Sequence, residues 1–139
     1  MSSIGRTAGS WLGMLALGQG RAKWTKKMGK YVAAHAGDSM STGHASLMQH
    51  FFLAGVAAHA QGGAARKKYW ESALESMTLA RAPDGSFQPR PWHESLSMGS
   101  NSDVSFGEVW TTAAWTIVLA CEPTKTRPGL PAWMSLPTK

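Results

Sequence analysis

Apolar residues return every three or four positions along most of this chain, a period that predicts helices rather than strands. Five can be placed. The first, over residues 4–17, sets Ala8, Trp11, Leu12 and Leu15 on one side. The second, over residues 22–35, carries Trp24, Met28, Tyr31, Val32 and His35 at an i, i+4, i+7, i+8, i+11 spacing, with Lys23, Lys26, Lys27 and Lys30 opposite. The third, over residues 43–60, holds Leu47, Met48, Phe51, Phe52, Leu53, Val56 and Ala57. It is apolar round most of its circumference, which predicts burial on several sides. Gln61-Gly62-Gly63 supplies a glycine stop. The fourth, over residues 64–80, puts Trp70, Ala73, Leu74 and Met77 on one stripe with Lys67, Lys68, Glu71 and Glu75 among its polar positions. The fifth, over residues 108–121, is apolar nearly all round through Val109, Trp110, Ala113, Ala114, Trp115, Ile117, Val118 and Leu119.

A connection over residues 81–107 precedes the fifth helix, longer than a compact domain usually keeps without a purpose. After Glu122 four of the seven prolines follow, so residues 123–139 are expected to run extended, with Trp133 as an anchor. The alternation of buried and one-sided helices implies helical hairpins placed side by side. The expected fold is therefore all-α, a partial α/α toroid of about five helices over residues 1–122, with one long ordered loop and a Pro-rich tail.

The openings of the three apolar helices look alike. Ser3-Ile4-Gly5-Arg6, Ser41-Thr42-Gly43-His44 and Ser105-Phe106-Gly107-Glu108 all read Ser-x-Gly-polar. A serine N-cap followed by a glycine for close approach would project one polar side chain from each helix toward a common rim. On that reading Arg6, His44 and Glu108 converge, and the positive helix ends favour the Glu108 carboxylate and disfavour protonation of His44. A structural account competes at each position. Glu108 completes a capping box with Ser105, His44 is a packing histidine, and Arg6 is a solvated charge.

Gly43-His44-Ala45-Ser46, Asp84-Gly85-Ser86-Phe87 and Gly107-Glu108-Val109-Trp110-Thr111-Thr112-Ala113 together resemble the terpenoid cyclase and prenyltransferase-like α/α toroids. The pattern is more similar still to a bacterial toroid family of unknown function whose longer members can carry a PDZ domain. The resemblance covers residues 41–134 well and residues 1–40 loosely. It implies that Asp84, Gly85 and Phe87 pin an outer helix to the next inner one. It also implies an extracytoplasmic parent protein, and an arc that lacks the remaining hairpins of a closed ring. The acid motif of cationic cyclases and the zinc trio of protein prenyltransferases are not matched, so neither activity is implied.

Composition narrows the function classes. The chain is 43% hydrophobic with seven Trp and eight Met, which suits one domain with a core of large side chains. The net charge of +6 raises nucleic acid or an anionic membrane as partners. Eight of the 14 basic residues fall within residues 21–30 and 66–68, however, where they read as solvent faces of helices, so neither partner is expected. Cys121 is the only cysteine and reads as a core residue. No membrane span is indicated, and no clear signal peptide.

The chemistry that remains lies in the long loop and at the helix mouths. Trp92, His93, Glu94, Asn101 and Asp103, with Arg6, His44, Ser46, Glu108 and Trp110, make a polar cleft edged by aromatic surfaces. The leading expectation is a binding or scaffold segment for a small polar ligand, a sugar or a peptide. An alternative is a hydrolase or lyase in which Glu94, Asp103 or Glu108 works with His44. A third is an inert arc of a larger domain, completed by its missing hairpins or by self-association. No cofactor is expected. With no HExxH or paired CxxC spacing, no metal site is expected either. In the bland reading the loop caps the helices, Trp92 is its plug and Asp103 a turn residue.

Overall fold

Five helices form close to where the periodicity places them. In the computed structural model, which describes residues 4–38, 46–89 and 102–122, they are α1 (Ile4–Ala16), α2 (Lys23–His35), α3 (Leu47–Gln61), α4 (Gly63–Ala80) and α5 (Ser102–Ala120). The chain is all-α. Among the described residues β pairing amounts to one isolated bridge, Arg81 with Phe87.

The third helix is the hub and packs against all four others. Its neighbours reveal the directions. Gly5 faces His50 and Gly9 faces Leu53, so α1 and α3 run parallel. Asp103 meets Met48, Trp115 meets Phe51 and Glu122 meets His59, so α5 is parallel to α3 as well. The backbone at Ala34 and Gly37 lies against Lys68 and Ser72, which makes α2 and α4 parallel to each other. One layer is thus α1, α3 and α5, with α3 in the middle; α2 and α4 form the other.

Small residues decide which helix faces meet, and this corrects the expected stripes. In α2 the buried positions are Thr25, Gly29, Val32 and, just past its end, Ala36, one residue round from the stripe expected through Trp24. A Cβ at Gly29 would lie 2.9 Å from Trp11 Nε1 and 3.1 Å from Gln61 Nε2, so the backbone itself is the packing surface there. That close approach turns Trp24 outward, 68% exposed. In α4 likewise Ala65, Tyr69, Ala73 and Ala80 are buried, whereas Leu74, expected on the inner stripe, is exposed.

Only α3 is enclosed on several sides, with Leu47, Met48, His50, Phe51, Ala54, Gly55, Ala57 and Ala58 all buried. The expectation that α1 and α5 are equally enclosed is not met. Arg6, Ser10, Gly13 and Leu17 face outward on and just beyond α1, and Phe106, Val109, Ala113 and Thr116 do so on α5.

The first and third copies of the expected Ser-x-Gly-polar repeat differ in structure, and the second, residues 41–44, lies outside the described residues. Gly5 is an ordinary helical residue set tightly against α3, where an added Cβ would stand 2.9 Å from His50 Cα. Gly107 instead breaks α5 with φ 74° and ψ −169°. Its true counterpart is Gly62, which joins α3 to α4 with φ 71° and ψ −167°. Only glycine holds that region of backbone space without strain.

The tightest three-helix contact is at Gly55. A Cβ there would come within 2.8 Å of the Tyr69 ring carbon Cζ and hydroxyl and 2.9 Å of Val118 Cγ1. Tyr69 is fully buried, and its hydroxyl donates to Phe51 O at 3.1 Å. Alanine normally gains about 1 kcal/mol over glycine inside a helix. Overpacking should reverse the sign here, so Gly55→Ala is expected to lose about 1–3 kcal/mol. A urea midpoint equal to or above that of the parent would show that α3, α4 and α5 do not meet so closely.

Candidate functional site

The polar centre of the inner layer is the Asp103 carboxylate. Asp103 lies in the first turn of α5, where the helix N-terminus favours an acid, and its side chain is fully buried. Ser46 Oγ donates to Oδ1 at 2.5 Å, the Met48 backbone N–H to Oδ2 at 2.9 Å, and Trp110 Nε1–H to Oδ1 at 3.1 Å. Ser46 is at the same time the N-cap of α3, its hydroxyl accepting from Gln49 N–H at 3.0 Å. One carboxylate therefore ties the mouths of α3 and α5 together. Asp103 is a helix residue, not the turn residue of the bland reading, and α3 starts at Leu47 behind Ser46 rather than at residue 43.

Glu108 faces another way. It is exposed, and its Oε1 accepts from Ser86 Oγ at 3.1 Å and from Gln88 Nε2. The capping box with Ser105 is not its role, because Ser105 sits inside the short helical turn that begins at Ser102. Glu108 instead fastens the turn over residues 82–88 to α5. In that turn Asp84 Oδ1 accepts from Ser86 N–H at 2.9 Å and Ser86 Oγ at 2.7 Å, which holds the Asp84 carboxyl below its ordinary range. Gly85 takes φ 90°. Phe87 donates its N–H to Thr112 Oγ1 at 2.9 Å and buries its ring beside Trp115.

The structure thus brings Ser46, Asp103 and Trp110 together and leaves Glu108 outside that cluster. Arg6 is exposed on the first turn of α1. His44, Trp92, His93, Glu94 and Asn101 lie outside the described residues, as do the tail over residues 123–139 and its Trp133. The space beside Asp103, lined by residues including Leu47, Ala80, Thr111 and Trp115, amounts to about 10 Å³. That is close to the minimum for one water molecule. Among the described residues no group of three His, Cys, Asp or Glu side chains is arranged to hold a metal ion.

A second polar cluster, at the other end of the layer, was not foreseen. His59 Nε2 lies 2.8 Å from Glu122 Oε1, and its Nδ1 lies 2.7 Å from Gly55 O. Trp70 Nε1–H also donates to Glu122, and Arg66 stands 3.7 Å away. Burial tends to raise the Glu122 carboxyl, but the bonds from His59 and Trp70 win and hold it below its ordinary range. Burial, then the Glu122 charge, pushes the neighbouring Cys121 thiol up, so it is no ready nucleophile. One signal was available: an acid at a helix C-terminus opposes the helix dipole and needs a cationic or donor partner.

His50, buried beside Gly5, should make the fold sensitive to acid. Burial and then the Arg6 charge depress its pKa below 6.5, against a smaller opposing effect of Asp103. The unfolded chain then binds the proton first. Stability present above about pH 6.5 is expected to fall as the pH drops from there through the folded-state value. His50→Gln should flatten that part of a melting-temperature profile, and an unchanged slope would assign the acid sensitivity elsewhere.

Compared with known proteins, the chain matches no family model, no curated protein sequence and no solved structure.

Proposed function

We propose that this chain is a binding or scaffold segment, one arc of an α/α toroid-like array, and that it works by taking a further apolar helix against α5. The observation that carries this reading is the outer face of α5. Val109 is 83% exposed, with Ala113 and Thr116 continuing the same face, and Phe106, on the short turn before the Gly107 break, is 63% exposed. The helix is apolar nearly all round, yet only its inner side is packed. The order of the layer supports the toroid reading: three parallel helices backed by two others is the arrangement that further hairpins would extend.

The catalytic alternative finds less support. The Asp103 carboxylate accepts from Ser46, Met48 and Trp110, Glu108 is fastened to the turn over residues 82–88, and the space beside Asp103 is far smaller than ligand pockets of roughly 300–1,000 Å³. These observations favour the flank of α5 over the helix mouths as the proposed binding surface.

Light scattering on the purified chain, with binding of a hydrophobic dye, tests the reading. Self-association or strong dye binding is expected, and Val109→Glu together with Phe106→Ser should suppress it. Because both side chains are exposed, the melting temperature should hardly move. A parent chain that is strictly monomeric and dye-silent would sink the proposal.

A further inference from the structure

The molecule is electrically lopsided. No Asp or Glu occurs before Asp38, while Arg6, Arg21, Lys23, Lys26, Lys27 and Lys30 all do. The other eight basic residues are matched by the eight acidic ones, so the net charge of +6 resides wholly in the first 37 residues. The fold then gathers most of it on one surface. Arg21, Lys23, Lys26, Lys27 and Lys30 line an open groove of about 330 Å³ along the outer side of α2. The nearest acid in sequence, Asp38, is already engaged by His35 at 2.6 Å and Lys68 at 3.3 Å.

Two apolar side chains stand at the same corner. Leu17, just past the end of α1, is 73% exposed, and Trp24, in the first turn of α2, is 68% exposed. Gly18, with φ 73°, turns the chain between them. Lys27 Nζ lies 4.8 Å from the centre of the Trp24 ring. Trp24 is outside because Thr25 and Gly29 take the buried side of α2, so its exposure follows from the packing of the helix.

From this juxtaposition we infer that the α1–α2 corner docks on the surface of an anionic lipid bilayer, Leu17 and Trp24 entering the interface and the α2 lysines lying over the headgroups. A cluster of lysines attracted to anionic headgroups, beside an exposed indole and an exposed aliphatic side chain, has the chemistry for it although the apolar side of α2 is packed in the core. The proposed attachment is peripheral, and no helix of the described residues is long and apolar enough to cross a membrane. Nucleic acid would satisfy the lysines equally, but a phosphate backbone offers Leu17 no apolar medium to enter. The lysines taken alone read as a solvated face, and it is the exposed Leu17 and Trp24 beside them that change the reading. The inference does not depend on the α5 flank.

Co-sedimentation of the full chain with phosphatidylcholine vesicles, with and without phosphatidylserine, tests it. Binding should require phosphatidylserine and weaken with salt. Each cation removed should lower the partition coefficient about fivefold, so Lys23→Ala, Lys27→Ala and Lys30→Ala combined should lower it about a hundredfold. Leu17→Ala with Trp24→Ala should weaken binding at constant charge. Circular dichroism checks that each variant keeps its helices, and the salt dependence of the parent chain provides a readout that needs no variant. Absence of binding to phosphatidylserine vesicles at low salt overturns the inference. So does indifference to Leu17 and Trp24, or duplex DNA binding tightly enough to strip the chain from the vesicles.

Discussion

Asp103→Ala should remove about 3–5 kcal/mol of stability, a large part of what a domain of this size has. The substitution strips the acceptor from Ser46 Oγ, the Met48 N–H and Trp110 Nε1–H in a site closed to solvent. Hydrogen bonds to a charged group each contribute about 1.5–3 kcal/mol, and a buried donor left unpaired keeps its desolvation cost. The three are not additive, because one relaxation serves all of them. Asp103→Asn keeps the volume and one acceptor and should lose less. Ser46→Ala should lose about 0.5–2 kcal/mol for the cap alone, with further loss through Asp103. Chemical denaturation of the three variants measures this directly. If Asp103→Ala melts like the parent chain, the carboxylate is not the tie between α3 and α5.

Trp115→Ala is expected to cost a similar amount by an unrelated route. Trp115 heads the largest fully buried side chains at 1% exposure, and its ring centroid lies 5.3 Å from that of Phe51 and 6.2 Å from that of Phe87. Its removal leaves a cavity bounded by α3 on one side and the turn over residues 82–88 on the other. Loss of a buried tryptophan costs about 3–5 kcal/mol. Trp115→Phe should recover part of it. The comparison with Val109→Glu is the useful one: the two positions lie on the same apolar helix, and only one is expected to matter to the isolated chain.

That contrast shows what the sequence could and could not convey. The helices were legible because period is a local property, and Gly62 marked the α3–α4 joint by residue type alone. The partners of each face were not legible. Hydropathy ranks Trp24 and Leu74 above Thr25, Gly29 and Ala73, yet the small residues are buried because they let backbones approach. In α5 the apolar pattern forecast full burial, since a sequence records what a face prefers and not whether anything covers it.

At the candidate site Asp103, Ser46 and Trp110 were named, but as separate contributors to a cleft. Their common role rests on a hydrogen bond spanning 57 positions in sequence. No local pattern announces such a bond. The His59–Glu122 pair, 63 positions apart, was missed for the same reason.

Gly62 carries a consequence for the order of assembly. Because one residue joins α3 to α4, bringing those helices together costs almost no loop-closure entropy. Joining α5 to α3 must close a far longer loop. Local contacts form early in folding and distant ones late. The α3–α4 hairpin is thus the expected nucleus, with α5 docking onto it afterwards. Weakening the Asp103 tie should then act mainly on the unfolding limb of a chevron plot. Crowding Gly55 against Tyr69 should slow refolding.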